Sequence, residues 1–275
     1  MKITVFSLFP EILLPYFESS IMARAAERGI INWKLVNIRD YAADKHKTCD
    51  DAPYGGGAGM LMKAQPICEA FKANGVEKKD SRPISGGSRK RARVVYLSPS
   101  GSLFNQARAL ELSLEEELAF LCGRYEGVDQ RVIDLYADDE ISLGDYVLSS
   151  GEIAALAVID AVYRLADGVI RPLSLSEESF TGGLLEYPQW TRPDVYDSVS
   201  VPEVLLSGNH ESIRKWRLRE SVKKTIKTRP DLLKKGVKNG VFNAETIQII
   251  ECFTQKTQPA SRGGCVAQGK GVCDE

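Results

Sequence analysis

In the first 165 residues, short β-branched or aromatic runs alternate with segments of helical period, and that alternation restricts the chain to few folds. Lys2–Leu8, Trp33–Ile38, Arg93–Ser98 and Leu118–Cys122 read as strands, and Ile141–Ser149 as a strand running into a turn. Between them, Glu11–Arg28 carries Ile12, Leu13, Phe17, Ile21 and Ala25 at helical spacing and meets a stop at Gly29. Met60–Ala73, Asn105–Leu112, Val128–Tyr136 and the Ala- and Ile-rich Gly151–Leu165 also read as helices. Strands and helices in alternation predict an α/β fold with a parallel sheet.

The pattern then changes. Asp44–Gly59 lacks periodicity and reads as a loop, and Asn74–Ala92 as a basic, Ser/Gly-rich connection. After Ala166 periodicity fails until about Gln189, which suits a linker that orders on binding. From Pro202 the period is helical, with Ile213–Lys227 and Asn243–Phe253 the clearest stretches, and Thr254–Glu275 reads as a disordered tail. The expected organisation is an α/β domain over 1–165, a flexible linker over 166–189, a small helical domain over 190–253 and a tail over 254–275.

The formal charge of -1 hides a strong asymmetry. Ser207–Lys238 holds eleven Lys/Arg against three Asp/Glu, and Glu111–Glu140 holds ten acids against two bases. Such a split points to a surface that meets a polyanion. The six cysteines (Cys49, Cys68, Cys122, Cys252, Cys265, Cys273) show neither a CxxC pair nor zinc-finger spacing. No run is long enough for a signal peptide or membrane span, so reduced thiols in the cytoplasm are expected.

Three loops follow strand ends: Tyr96-Leu97-Ser98-Pro99-Ser100-Gly101, Leu121-Cys122-Gly123-Arg124-Tyr125-Glu126-Gly127 and Ile141-Ser142-Leu143-Gly144-Asp145-Tyr146-Val147-Leu148-Ser149-Ser150-Gly151-Glu152. Ligands of open α/β sheets bind beyond the carboxyl ends of strands. Alone, each loop reads as a plain turn; together, three can line an adenosine pocket. None is GxGxxG, and Pro53–Gly59 is not followed by Gly-Lys-Ser/Thr, so neither a Rossmann site nor a P-loop is expected. His46 and His210 stand outside any cluster of ligand spacing, so no metal site is expected. In Ile213–Lys227, Arg214, Lys215, Arg217, Arg219, Lys223, Lys224 and Lys227 surround most of the helix, with Trp216 among them. A solvated face is one reading. With only three acids nearby, pairing is expected not to neutralise these cations, which favours phosphate contact.

Several motifs resemble a known family. Ser7-Leu8-Phe9-Pro10, Asp44-Lys45-His46-Lys47, Pro53-Tyr54-Gly55-Gly56-Gly57-Ala58-Gly59-Met60, Gly123-Arg124-Tyr125-Glu126-Gly127, Gly144-Asp145-Tyr146-Val147-Leu148, Ile159-Asp160-Ala161-Val162, Thr191-Arg192-Pro193 and Ile213-Arg214-Lys215-Trp216-Arg217 all match the bacterial tRNA (guanine-N1)-methyltransferases, from Met1 to about Phe253. The resemblance implies the knotted (SPOUT) superfamily: a parallel sheet with a deep C-terminal trefoil knot, which ordinary chain rules would never suggest, plus a small helical tRNA-binding domain. It implies S-adenosylmethionine held in the knot by Tyr96, Leu97, Ser98, Pro99, Gly123, Glu126, Leu143, Gly144, Asp145, Tyr146, Val147, Leu148 and Gly151. Ser150 stands where the family often has glycine.

Guanine N1 carries a proton and is a poor nucleophile until a base removes it. Charge then spreads to O6, where a guanidinium can stabilise it. By resemblance the base is Glu178, a position at which many relatives have Asp, with Glu177 as rival, and the cation is Arg164. Arg164 also suits a purely structural role at a helix C-terminus. The Pro53–Gly59 loop is either a wall of the target pocket or a structural turn. The family adds Mg2+ as an assisting ion, a homodimer with its active site shared between subunits, and the guanosine immediately 3′ of the tRNA anticodon as target. Two other readings stay open: a knotted 2′-O-ribose RNA methyltransferase, and a catalytically idle RNA-binding relative.

Overall fold

A computed structural model describes residues 1–81, 91–171, 174–175 and 177–256. Much of the expected basic connection Asn74–Ala92, and nearly all of the expected tail Thr254–Glu275 with Cys265 and Cys273, lie outside the described residues. The chain divides into two compact units, Met1–Arg171 and Pro172–Glu275.

The first unit contains β1 (Lys2–Ser7), β2 (Asn32–Asn37), β3 (Asp50–Asp51), β4 (Leu61–Met62), β5 (Arg93–Leu103), β6 (Glu117–Cys122) and β7 (Asp139–Ser142). Its helices are α1 (Leu14–Phe17), α2 (Ser20–Glu27), α3 (Ala64–Ala73), α4 (Gln106–Ser113), α5 (Gln130–Tyr136) and α6 (Gly151–Tyr163). Five strands form one sheet in the order β2-β1-β6-β5-β7, and every pairing is parallel. Strands β1, β5 and β6 carry apolar residues on both faces and feed two cores by simple alternation. Ile3, Val5, Val95, Leu97, Leu118 and Phe120 face one core; Phe6, Val94, Tyr96, Ala119 and Leu121 face the other. Helix α6 is apolar almost all round and buries Ala155, Val158, Ile159 and Val162 in the first core.

Three expected elements change. Glu11–Arg28 is not one helix: Pro10 and Pro15 each open a separate short turn, and α2 begins afresh at Ser20. The helix expected from Met60 starts only at Ala64, because Leu61–Met62 pairs with β3 and the Met62 amide donates to Gly127 O at 2.9 Å. The strand expected over Ile141–Ser149 runs from Asp139 to Ser142, where its last partner, Leu103, ends. Strand β5 itself shifts register between Leu97 and Ser102, so Ser98–Gly101 bulges out at the sheet's carboxyl edge. Gly101 has no room for a Cβ there, since the backbone of Glu140 and Ile141 lies against it.

The first unit runs past the expected boundary at Leu165. Leu165, Ala166 and Val169 pack on its core, and Arg28 Nη1 donates to Gly168 O at 2.8 Å. The second unit contains β8 (Val195–Tyr196), β9 (Val199–Ser200), α7 (Glu203–Leu206), α8 (His210–Thr228), α9 (Pro230–Lys238) and α10 (Ala244–Lys256) around Val222, Leu233, Phe242 and Ile250. The β8–β9 hairpin was not expected in a helical region. Its turn residues Asp197 and Ser198 both take positive φ (48° and 64°) without the Gly or Asn that usually announces such a turn.

Candidate active site

Parallel strands deliver their following loops to one end of a sheet, and here the Ser98–Gly101 bulge of β5 and the loops after β6 and β7 meet the N-terminus of α6. They enclose a cavity of about 540 Å³, within the range of roughly 300–1,000 Å³ typical of small-molecule sites. Eleven of the thirteen residues expected at the cofactor line it: Tyr96, Leu97, Ser98, Pro99, Gly123, Glu126, Leu143, Tyr146, Val147, Leu148 and Gly151. Gly144 and Asp145 are not part of the lining. Gly144 is held inside a tight turn: its amide donates to Ser142 Oγ at 3.2 Å, and its carbonyl accepts from Ser142 Oγ at 3.1 Å and Tyr146 N at 2.9 Å. The Tyr146 ring folds back over that glycine at a distance that leaves no space for a Cβ.

The walls are close-built from backbone. A Cβ on Gly151 would lie 2.7 Å from Gly123 N and 2.9 Å from Cys122 Cα, and Gly151 N donates to Gly123 O at 2.9 Å. On Gly123 it would meet Tyr96 Oη at 3.2 Å. Ser150 also lines the cavity, with φ −165° and ψ 153°, extended backbone that any residue adopts. Its replacement of a glycine therefore imposes no conformational demand. The Pro53–Gly59 loop reaches the same region: Gly59, at φ +84°, packs on the Glu126 side chain, and Glu126 N donates to Met60 O at 3.0 Å.

Sequence reasoning missed a buried polar cluster beside the cavity. Glu152 lies in the first turn of α6 with no exposed surface. Its Oε1 accepts from Ser7 Oγ at 2.6 Å, and Oε2 stands 3.3 Å from Arg124 Nε. Arg124 lines the cavity and lies over the Phe9 ring at 4.6 Å. One carboxylate thus ties together the ends of β1 and β6 and the start of α6. The helix N-terminus favours its negative charge. An acid at the very start of an apolar helix was the available signal. Nearby, burial pushes the Cys122 thiol well above its usual range and the Tyr96 phenol above its own, so neither supplies an anion at neutral pH.

The structure does not bring the two expected catalytic residues to this cavity within one chain's first unit. Arg164 is the half-buried C-cap of α6. The cavity touches the other end of that thirteen-residue helix, about 20 Å away along the axis. Glu178 belongs to the second unit and is half-buried. Its neighbour Glu177 is engaged: Tyr187 Oη donates to Glu177 Oε2 at 2.6 Å, and Arg217 Nη1 approaches the same oxygen at 3.4 Å. Several further bonds fasten this part of the expected linker, among them Glu186 N to Ser179 Oγ (3.0 Å) and Leu185 N to Thr225 Oγ1 (2.9 Å).

The seven expected RNA-binding cations are all on α8, but pairing reaches further than the local count of acids implied. Arg214 is paired with both Glu211 and Glu245, Lys215 with Glu211, Lys223 with Glu220 and Arg217 with Glu177. Glu177 and Glu245 come from outside the counted window. Arg219 lies over the Phe253 ring, and Lys224 donates to Glu186 O. These pairs are exposed, and a phosphate can compete for them. Among the described residues no group of three or more His, Cys, Asp or Glu side chains could hold a metal, so the Mg2+ implied by resemblance meets no protein cage there. Nor is any described helix long and apolar enough to cross a membrane.

A family model described as tRNA (Guanine-1)-methyltransferase TrmD matches residues 1–235. A Treponema denticola protein named tRNA (guanine-N(1)-)-methyltransferase is 55% identical over 253 residues, covering 92% of this chain and 99% of that protein. Proteins of the same name from Borrelia duttonii (54% over 250 residues; 88% and 99% covered) and Treponema pallidum (51% over 259 residues; 94% and 98% covered) are similarly close.

Proposed function

The chain belongs to the tRNA (guanine-1)-methyltransferase family, and from that premise we propose that it transfers a methyl group from S-adenosylmethionine to N1 of the guanosine immediately 3′ of the anticodon in tRNA. The observation that carries the cofactor assignment is the cavity beyond β5, β6 and β7. Its volume and mixed lining suit a nucleoside joined to an amino acid: Leu97, Leu143, Val147 and Leu148 offer apolar surface, and loop backbone offers donors and acceptors. Glu126 adds a carboxylate to that lining, complementary to a sulfonium. When bound, the cofactor supplies an already activated methyl group, and what remains for the protein is positioning and proton removal.

Glu178 is the proposed general base, taking the N1 proton, and Arg164 the cation that offsets charge spreading to O6. The length of α6 between Gly151 and Arg164 supports a shared site, with the cofactor cavity of one subunit served by Arg164 and Glu178 of a second copy in a symmetric dimer. The reading of a trefoil knot is supported by the path of the chain: after β7 at the sheet's edge it returns past β5 to set Gly151 against the end of β6. Exposed cations of α8 take tRNA phosphates, the Glu178 segment settles around the target base, and the substrate places the enzyme in the cytoplasm.

The test is Glu178→Gln. Its cofactor affinity stays near wild type while turnover falls roughly 10²–10⁴-fold, the usual contribution of a positioned base; undiminished methylation would remove Glu178 from that role. Nucleoside analysis of the product decides the class, with N1-methylguanosine expected, a 2′-O-methyl nucleoside pointing to the ribose alternative and no product to an idle relative.

A further inference from the structure

Two motifs in the second unit have no part in the chemistry above: Thr191-Arg192-Pro193 and the Trp216-Arg217 pair on α8. They converge. Both line a second cavity, of about 430 Å³, enclosed wholly within the C-terminal unit. Tyr187, Trp190 and Trp216 give it three aromatic walls, while Arg192, Asp194 and Arg217 supply charged groups.

We infer that this cavity is a nucleobase subsite, which takes one unstacked base of the tRNA. The inference rests on tRNA as substrate and adds a place where a base is held by this unit. Arg217 is fixed in advance: its guanidinium lies 4.7 Å from the Tyr187 ring centroid and pairs with Glu177, to which Tyr187 also donates. Its Nε is shielded from solvent with no hydrogen-bond partner among the described residues, so packing holds that edge of the guanidinium in place. Trp190 keeps 42% of its surface exposed. That is a large apolar face to leave in water unless something flat stacks upon it. The cavity is too small for a duplex and large enough for one base. Beyond Arg217 the same helix carries Lys223, Lys224 and Lys227, a basic stretch that a phosphate backbone leaving the cavity could follow. Aromatic faces beside a basic track are the construction by which proteins hold single-stranded RNA.

The experiment titrates full-length protein with tRNA transcripts that each carry one abasic nucleotide, scanned through the single-stranded loops, comparing wild type with Trp190→Ala and Trp190→Phe. At the position whose base enters the cavity, wild type loses about five- to a hundredfold in affinity, the range for one stacked base. Trp190→Ala binds the intact transcript more weakly by a similar factor and loses nothing further at that position, whereas Trp190→Phe regains both affinity and sensitivity. Trp216→Phe, tested beside them, behaves like Trp190→Phe. Binding of S-adenosylhomocysteine, unchanged in all variants, reports an intact first unit. If every abasic penalty is the same in Trp190→Ala as in wild type, the subsite is refuted and tRNA as substrate stands. If wild type neither binds nor methylates the intact transcript, the reading beneath it fails as well.

Discussion

The two cavities are made of opposite materials. The first has backbone in much of its wall: Gly123, Gly127, Gly151, Ser98, Ser100, Ser149 and Ser150 line it beside Leu97, Leu143, Val147 and Leu148, above a sheet packed on both faces. The second is framed by large side chains, two tryptophans, a tyrosine and two arginines, in a unit whose own buried core is four residues. Backbone cannot change rotamer, so where Gly123 and Gly151 meet the first cavity has a fixed shape and rejects an added atom. Side-chain walls can turn, so the second accepts substitution by degrees. A fixed small molecule and a segment of a flexible polymer call for those two constructions respectively.

The largest effect should follow from adding one carbon to the first cavity. In Gly151→Ala the new Cβ meets Gly123 N and Cys122 Cα, both backbone atoms at the end of β6 with no freedom to swing aside. Overpacking of this kind costs about 1–3 kcal/mol, so cofactor affinity should drop roughly ten- to a hundredfold. Calorimetric titration with S-adenosylhomocysteine measures it. A variant that binds as tightly as wild type would show that the first cavity adapts after all, and the contrast with Trp190→Phe would vanish.

The same contrast explains what could be read from the sequence. Strand positions were legible because both sheet faces demand apolar residues, as in Ile3–Phe6 and Leu118–Leu121. The first cavity was legible because each lining loop is continuous in sequence, and parallel topology brings all three to one edge. Gly144 stands outside the lining because the Tyr146 ring packs against it, and Asp145 because it is exposed. The second cavity was not legible. Its walls come from residues 187–194 and 213–217, joined through a hairpin whose Asp197-Ser198 turn carries no customary signal. Arg124 and Glu152 were missed for another reason: a charged pair reads as surface until its burial is seen.

Glu152 offers an intermediate effect that sharpens the comparison, since it is a side chain serving a backbone-built site. Glu152→Gln keeps an acceptor for Ser7 and nearly the same volume but loses the charge that grips Arg124. Arg124 is partly exposed, so water takes over some of the lost interaction, and the expected cost is about 1–3 kcal/mol of stability. Thermal denaturation should show it, with cofactor affinity down about tenfold as the Arg124 wall loosens. Arg124→Lys combined with Glu152→Gln should be less than additive, because the two act as one unit. Full additivity would separate them.

The smallest effect lies in the exposed ion pairs of the second unit. Hydrogen bonds from Arg214 hold the Glu211 carboxyl down to about 2, against an ordinary value of 4.5, with the charges of Arg214 and Lys215 assisting. A carboxyl depressed in the folded state stabilises that state above its ordinary pKa, and the contribution disappears as pH falls from about 4.5 to about 2. Glu211 is fully exposed, so salt should erode the effect. The counterpart in the first unit is Arg93, bonded to the buried Asp139 and to Glu111 and Glu115, with its guanidinium pKa raised chiefly by Asp139. Screening reaches that network far less. Carboxyl titration by NMR should therefore place Glu211 near 2 at low ionic strength and higher in ~1 M salt, where the Debye length is only about 3 Å. Arg214→Gln should raise it without salt. Were Glu211 to titrate in the ordinary carboxylate range at low salt, its pairing with Arg214 would be refuted, and only Glu245 would remain to hold that guanidinium.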